Sequence, residues 1–125
     1  MEGRANQIAD RNFPAAQIGD SAMPKLALFA RLEAKPGKEA DVEKFLQAGL
    51  GLARQEATTP IWFALRLGPT TFGVFDAFYD EAGRQAHLAG PIAQALMANA
   101  PELLASPPSI EPIEVLGLKN ELKPS

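Results

Sequence analysis

The chain has 125 residues and a mass of 13.4 kDa, room for one domain with one core. Its net charge of −3 and pI near 5.1 offer no field to attract a polyphosphate, which argues against a dedicated nucleic-acid binder. Cysteine is absent and histidine occurs once, which excludes disulfides, thiolate zinc sites, Cys nucleophiles and any two-His metal site within one chain.

Residues 1–23 mix Arg, Asn, Asp, Gly and Pro around isolated Ile8, Phe13 and Ile18, with neither helical nor strand period. No apolar stretch there resembles the core of a signal peptide, and the segment is expected to be a flexible arm of a cytoplasmic protein. Residues 24–118 form the expected domain. Leu26 to Glu33 reads as a first strand, closed by Pro36-Gly37-Lys38. From Glu39 to Gln55, Val42, Phe45, Leu46, Gly49, Leu50 and Ala53 recur at helical spacing, with acidic residues in the first turn where the helix dipole favours them. Ile61 to Leu67 and Phe72 to Tyr79 flank Gly68-Pro69-Thr70-Thr71 as a hairpin. Asp80 can cap a helix carrying Ala82, Ala86, His87 and Leu88, which Gly90-Pro91 interrupts. A further helix holds Ile92, Leu96, Met97, Ala100 and Leu104, with Pro101 expected to kink or break it. Ile110 to Leu118 is a last strand, and residues 119–125 a polar tail. No apolar run approaches the roughly 18 residues of a membrane span.

The order β-α-β-β-α-β is that of an α+β, ferredoxin-like fold with an antiparallel sheet and helices on one face. Alternation groups Ile61, Phe63, Leu65 and Leu67 on one side of the second strand, and Trp62, Ala64 and Arg66 on the other. The Trp62 side is expected to be free of helices and too aromatic to stay wet. A homodimer, two sheets closing one barrel, follows as an expectation. On that face Arg66 would pair with an acidic residue across the dimer, Asp76 being one candidate whose face depends on the hairpin register.

The run from Leu28 through Pro36-Gly37 to Lys38 resembles the first strand and turn of the antibiotic biosynthesis monooxygenase family, which are dimeric α/β barrels. Arg54-Gln55-Glu56 with Trp62, Phe75 to Glu81, and Gln85-Ala86-His87-Leu88 are similar to its helix end, third strand and His-Leu helix. The resemblance covers about residues 25–118. It departs at Ala57-Thr58, Trp62, Phe78 and Pro91-Ile92, where the family often has Pro-Gly, Tyr, Trp and Pro-His. Ala30, His87 and Met97 stand where the haem-degrading branch has Asn, Trp and a haem-ligating His, so haem degradation is not expected.

The resemblance implies a cofactor-independent monooxygenase that oxidises a small aromatic or quinol-like substrate with dioxygen and needs no metal. His87 would be the general base toward a phenolic hydroxyl, since its ordinary pKa lies near neutrality. The alternative reading is a helix histidine bonded to a carbonyl at the end of its turn. Asp76 takes the family's acidic position before the strand-3 aromatic, where it would orient His87 or belong to a structural ion pair. Trp62 and Phe78 would shape the pocket, Tyr79 or Arg66 would orient the substrate oxygen, and Met97 would line the pocket or simply fill core. A non-catalytic, ligand-binding or stress-associated dimer, and an isomerase of small oxygenated metabolites, are the competing readings. Gly49-Leu50-Gly51 lies mid-helix and is no dinucleotide turn, and no serine has a hydrolase setting.

Overall fold

The structure is a computed structural model that describes residues 23–122. The arm expected over residues 1–23 lies outside the described residues except for Met23, as do the tail residues 123–125. Seven elements follow in order: β1 (Leu26–Glu33), α1 (Glu39–Ala53), β2 (Ile61–Arg66), β3 (Thr71–Phe78), α2 (Glu81–Leu88), α3 (Pro91–Leu103) and β4 (Ser109–Glu114). The strands form one antiparallel sheet in the order β2-β3-β1-β4, the ferredoxin-like arrangement expected from the element order.

Local chemistry explains the joints. Gly37 carries a φ of 88°, the left-handed turn that lets the chain reverse between β1 and α1. The Asp80 carboxylate accepts from the Gly83 backbone N–H at 2.9 Å and caps α2. Pro91 opens α3, where its missing N–H costs nothing. Pro101 does not break that helix. It falls in the last turn, and α3 continues to Leu103. The final strand stops at Glu114 rather than Leu118. Val115 N–H still donates to Lys25 O, so by alternation the Pro112 nitrogen points away from β1, as an edge strand allows.

Cross-strand register corrects the expected faces. Trp62 pairs with Asp76, Ala64 with Val74 and Arg66 with Phe72, and this side packs beneath the helices. The core there is built on Leu32, Val42, Leu46, Phe72 and Val74, with Trp62 and Phe45 against it. The Trp62 side is therefore the covered face, not the open one. Gly49 of α1 lies against the indole, where a Cβ would stand 3.4 Å from the ring. On the open face Phe63 pairs with Phe75, and Phe75 with Phe29. The Phe63 and Phe75 rings lie 6.4 Å apart, and Phe63 is 55% exposed. An aromatic open face was expected, but Phe63 supplies it instead of Trp62.

Candidate active site

Between the covered face of the sheet and the three helices lies a cavity of about 120 Å³. Its walls are almost wholly apolar: Leu28, Ala30 and Val74 from the sheet, Leu46 and Leu52 from α1, Ile92 and Leu96 from α3. Trp62, Asp76 and His87 supply its polar end. Since a cavity of roughly 150 Å³ holds benzene, this one suits a single ring or something smaller.

His87 is buried on α2, with both ring nitrogens against carboxylates. Nδ1 lies 2.7 Å from Glu56 Oε1, and Nε2 lies 2.9 Å from Asp76 Oδ2. An ionised carboxylate only accepts hydrogen bonds, so satisfying both contacts requires N–H on both nitrogens, which is the imidazolium. Burial alone would lower the His87 pKa, but the hydrogen bonds and charges of Asp76 and Glu56 outweigh it and raise the value. Burial likewise raises the Asp76 pKa, against the lowering effect of its bond to His87. The Thr59 hydroxyl donates to Glu56 Oε1 at 2.9 Å and fixes that side chain from the loop after α1. With both carboxylates ionised the triad carries one surplus negative charge. Asp76 Oδ1, Glu56 Oε2 and Trp62 Nε1 are buried without a hydrogen-bond partner.

Of the expected site residues, His87 and Trp62 meet at the cavity. The other four lie elsewhere. Phe78 is fully buried with its ring 5.4 Å from the imidazole, supporting His87 without lining the cavity. Tyr79 is 43% exposed at the end of β3, and Met97 is 57% exposed on the outer side of α3. Leu96, one residue earlier in the helical phase, lines the cavity instead. Arg66 pairs within its own chain, with Glu43 at 2.8 Å, and its guanidinium lies 4.6 Å from the centre of the Phe72 ring. That pair replaces the expected partner across a dimer, and Asp76 is occupied by His87.

The carbonyl-bonded alternative for His87 also fails, since two carboxylates hold the ring. Glu56 is the participant that residue patterns alone did not reveal. It follows the end of α1, 31 residues before His87, in a loop whose path no periodicity predicts. The resemblance of Arg54-Gln55-Glu56 to the family's helix end singles out the residue but not its contact with His87. With both nitrogens committed, His87 has no lone pair for a metal ion, and no cluster among the described residues is arranged to hold one.

Comparison with known proteins adds one close relative. A Nitrosomonas europaea protein of unknown function is 63% identical, covers 81% of this chain and 98% of its own, and superposes with a TM-score of 0.77. A candidate antibiotic biosynthesis monooxygenase from the same organism is 14% identical over 74% of this chain and 90% of its own, with a TM-score of 0.66. Another from Chloroflexus aurantiacus is 16% identical over 77% and 97%, with a TM-score of 0.61. Both share the fold. No family model matches the chain, and no curated protein matches it. No helix among the described residues is long and apolar enough to cross a membrane.

Proposed function

The chain belongs to the family of the Nitrosomonas europaea protein and has the fold of antibiotic biosynthesis monooxygenases, and from that premise we propose that it is a cytoplasmic, homodimeric, cofactor-independent monooxygenase of small hydroxylated aromatics. The observation that supports this reading is an apolar, ring-sized cavity whose polar end is a buried carboxylate held by an imidazolium. A phenol deprotonated there becomes electron-rich enough to reduce dioxygen. One oxygen atom enters the ring as a carbonyl, and the other leaves as water with two substrate hydrogens. The substrate supplies all four electrons, so phenol and dioxygen give a quinone and water with no added reductant.

In this reading Asp76, not His87, receives the hydroxyl proton. Protonated His87 has no free lone pair, whereas Asp76 Oδ1 is unpaired and burial raises its affinity for a proton. His87 orients Asp76 and offsets its charge, Glu56 holds His87, and Trp62 packs against the ring. A second copy covers Phe29, Phe63 and Phe75 on the open face. Oxygen uptake over a panel of single-ring phenols and hydroquinones tests the reading. Asp76→Asn is expected to slow uptake by about 100-fold or more, the usual worth of a general base. Undiminished uptake would remove Asp76 from the chemistry.

A further inference from the structure

Trp62 and Asp76 stand directly opposite each other on β2 and β3. Leu67 N–H donates to Thr71 O, which makes that pair a hydrogen-bonded one. By alternation along the hairpin, Trp62 and Asp76 occupy a non-hydrogen-bonded position, where facing side chains approach most closely. Each contributes one buried polar atom without a partner: the indole Nε1–H, which can only donate, and Asp76 Oδ1, which as a carboxylate oxygen can only accept. Asp76 as a residue is 2% exposed, and both residues line the same cavity. A buried donor and a buried acceptor, each without a partner and carried by facing residues that line one largely apolar cavity, are costly unless something completes them.

We propose that the cavity recognises its ligand through a single hydroxyl group that accepts from Trp62 and donates to Asp76, and that it discriminates against the corresponding carbonyl. The inference rests on the cavity being the substrate site proposed above. A phenol or enol satisfies both protein atoms with one oxygen. A ketone, quinone or ether accepts from the indole and leaves Asp76 Oδ1 unpaired. Halogen in place of hydroxyl satisfies neither well. Oxidation at the hydroxyl therefore turns a ligand the site holds into one it releases.

The chain has one tryptophan, so a single indole N–H resonance reports on the cavity. The probes are two pairs of ring-sized compounds, phenol with fluorobenzene and cyclohexanol with cyclohexanone, titrated by calorimetry and by ¹H–¹⁵N spectroscopy. The hydroxyl member of each pair is expected to bind about 10- to 100-fold more tightly, the range for leaving a buried polar group unmatched. Phenol should also move the indole N–H downfield. Asp76→Asn supplies an amide N–H and should narrow or invert the preference between cyclohexanol and cyclohexanone. If that variant does not fold, Trp62→Phe should weaken phenol binding relative to fluorobenzene. Comparable binding within each pair, or an indole resonance that phenol leaves in place, overturns the proposal. Selective binding without oxygen uptake supports it and removes only the oxygenase reading. Oxygen uptake without hydroxyl preference does the reverse.

Discussion

Replacing His87 with alanine removes the only cation between two buried carboxylates. Glu56 and Asp76 now sit within 2.9 Å of the imidazole, with side chains only 12% and 3% exposed, so neither can turn to water without moving its element. Removing one member of a buried ion pair typically costs about 3–5 kcal/mol, a large share of a total near 5–15 kcal/mol. The pH dependence identifies the cause. In the native protein His87 has a raised folded-state pKa, so its stabilisation is complete below the unfolded value of about 6.5 and is lost as pH rises through the folded one. Asp76, raised by burial, acts in the same sense, because its ionisation penalty is relieved as pH falls. In His87→Ala the carboxylates oppose each other directly, and acidification should restore stability as one takes up a proton. Urea unfolding followed by Trp62 fluorescence at about pH 5 and pH 8 measures both effects. We expect both proteins to be more stable at the lower pH, wild type because His87 is then fully charged and the variant because one of the facing carboxylates has taken up a proton. A variant unfolded at neutral pH should regain its circular dichroism on acidification. A loss under about 1 kcal/mol, equal at both pH values, would refute the charged triad.

Three further outcomes test other parts of the fold. Phe63→Asp places a charge at the centre of the open aromatic face, and if the proposed dimer forms through that face the variant should sediment as a monomer without losing helix content. Gly73→Ala puts a Cβ 3.0 Å from the Phe29 ring, and the displaced phenyl should cost about 1–3 kcal/mol by urea unfolding. Arg66→Ala breaks a half-exposed pair with Glu43, so it should cost at most about 1 kcal/mol and leave phenol affinity unchanged in calorimetry.

The elements were legible because punctuation marks them: Pro36-Gly37, Gly68-Pro69 and Gly90-Pro91 stand at or beside the joints. The faces were not legible, since β2 is apolar on both sides, with Ile61, Phe63 and Leu65 against Trp62 and Ala64. A pattern apolar in both phases gives no sign of which side the helices cover. Arg66 illustrates the same limit, because its partner Glu43 lies on a helix whose position the strand cannot report. At Met97 the error is one residue of helical phase, enough to exchange an exposed side chain for cavity-lining Leu96. His87 was legible as the lone histidine of the chain and from the resemblance of Gln85-Ala86-His87-Leu88 to a His-Leu helix, and Asp76 as a residue that would orient it. Its two carboxylates come from a loop and a strand far apart in the chain, and tertiary structure alone brings them together.

Stability does not account for the triad. A buried imidazole between two buried carboxylates, with two carboxylate oxygens unpaired, is a poor exchange for apolar side chains of equal volume. The core built on Leu32, Val42 and Phe72 manages without any charge. Asp76 and His87 stand instead at the wall of a largely apolar cavity, and the triad is held there from three directions: Thr59 fixes Glu56, the Asp80 cap anchors the helix that carries His87, and β3 carries Asp76. Carboxylates and an imidazole fixed in position beside a space for a ligand are the arrangement that the proposed proton transfer requires.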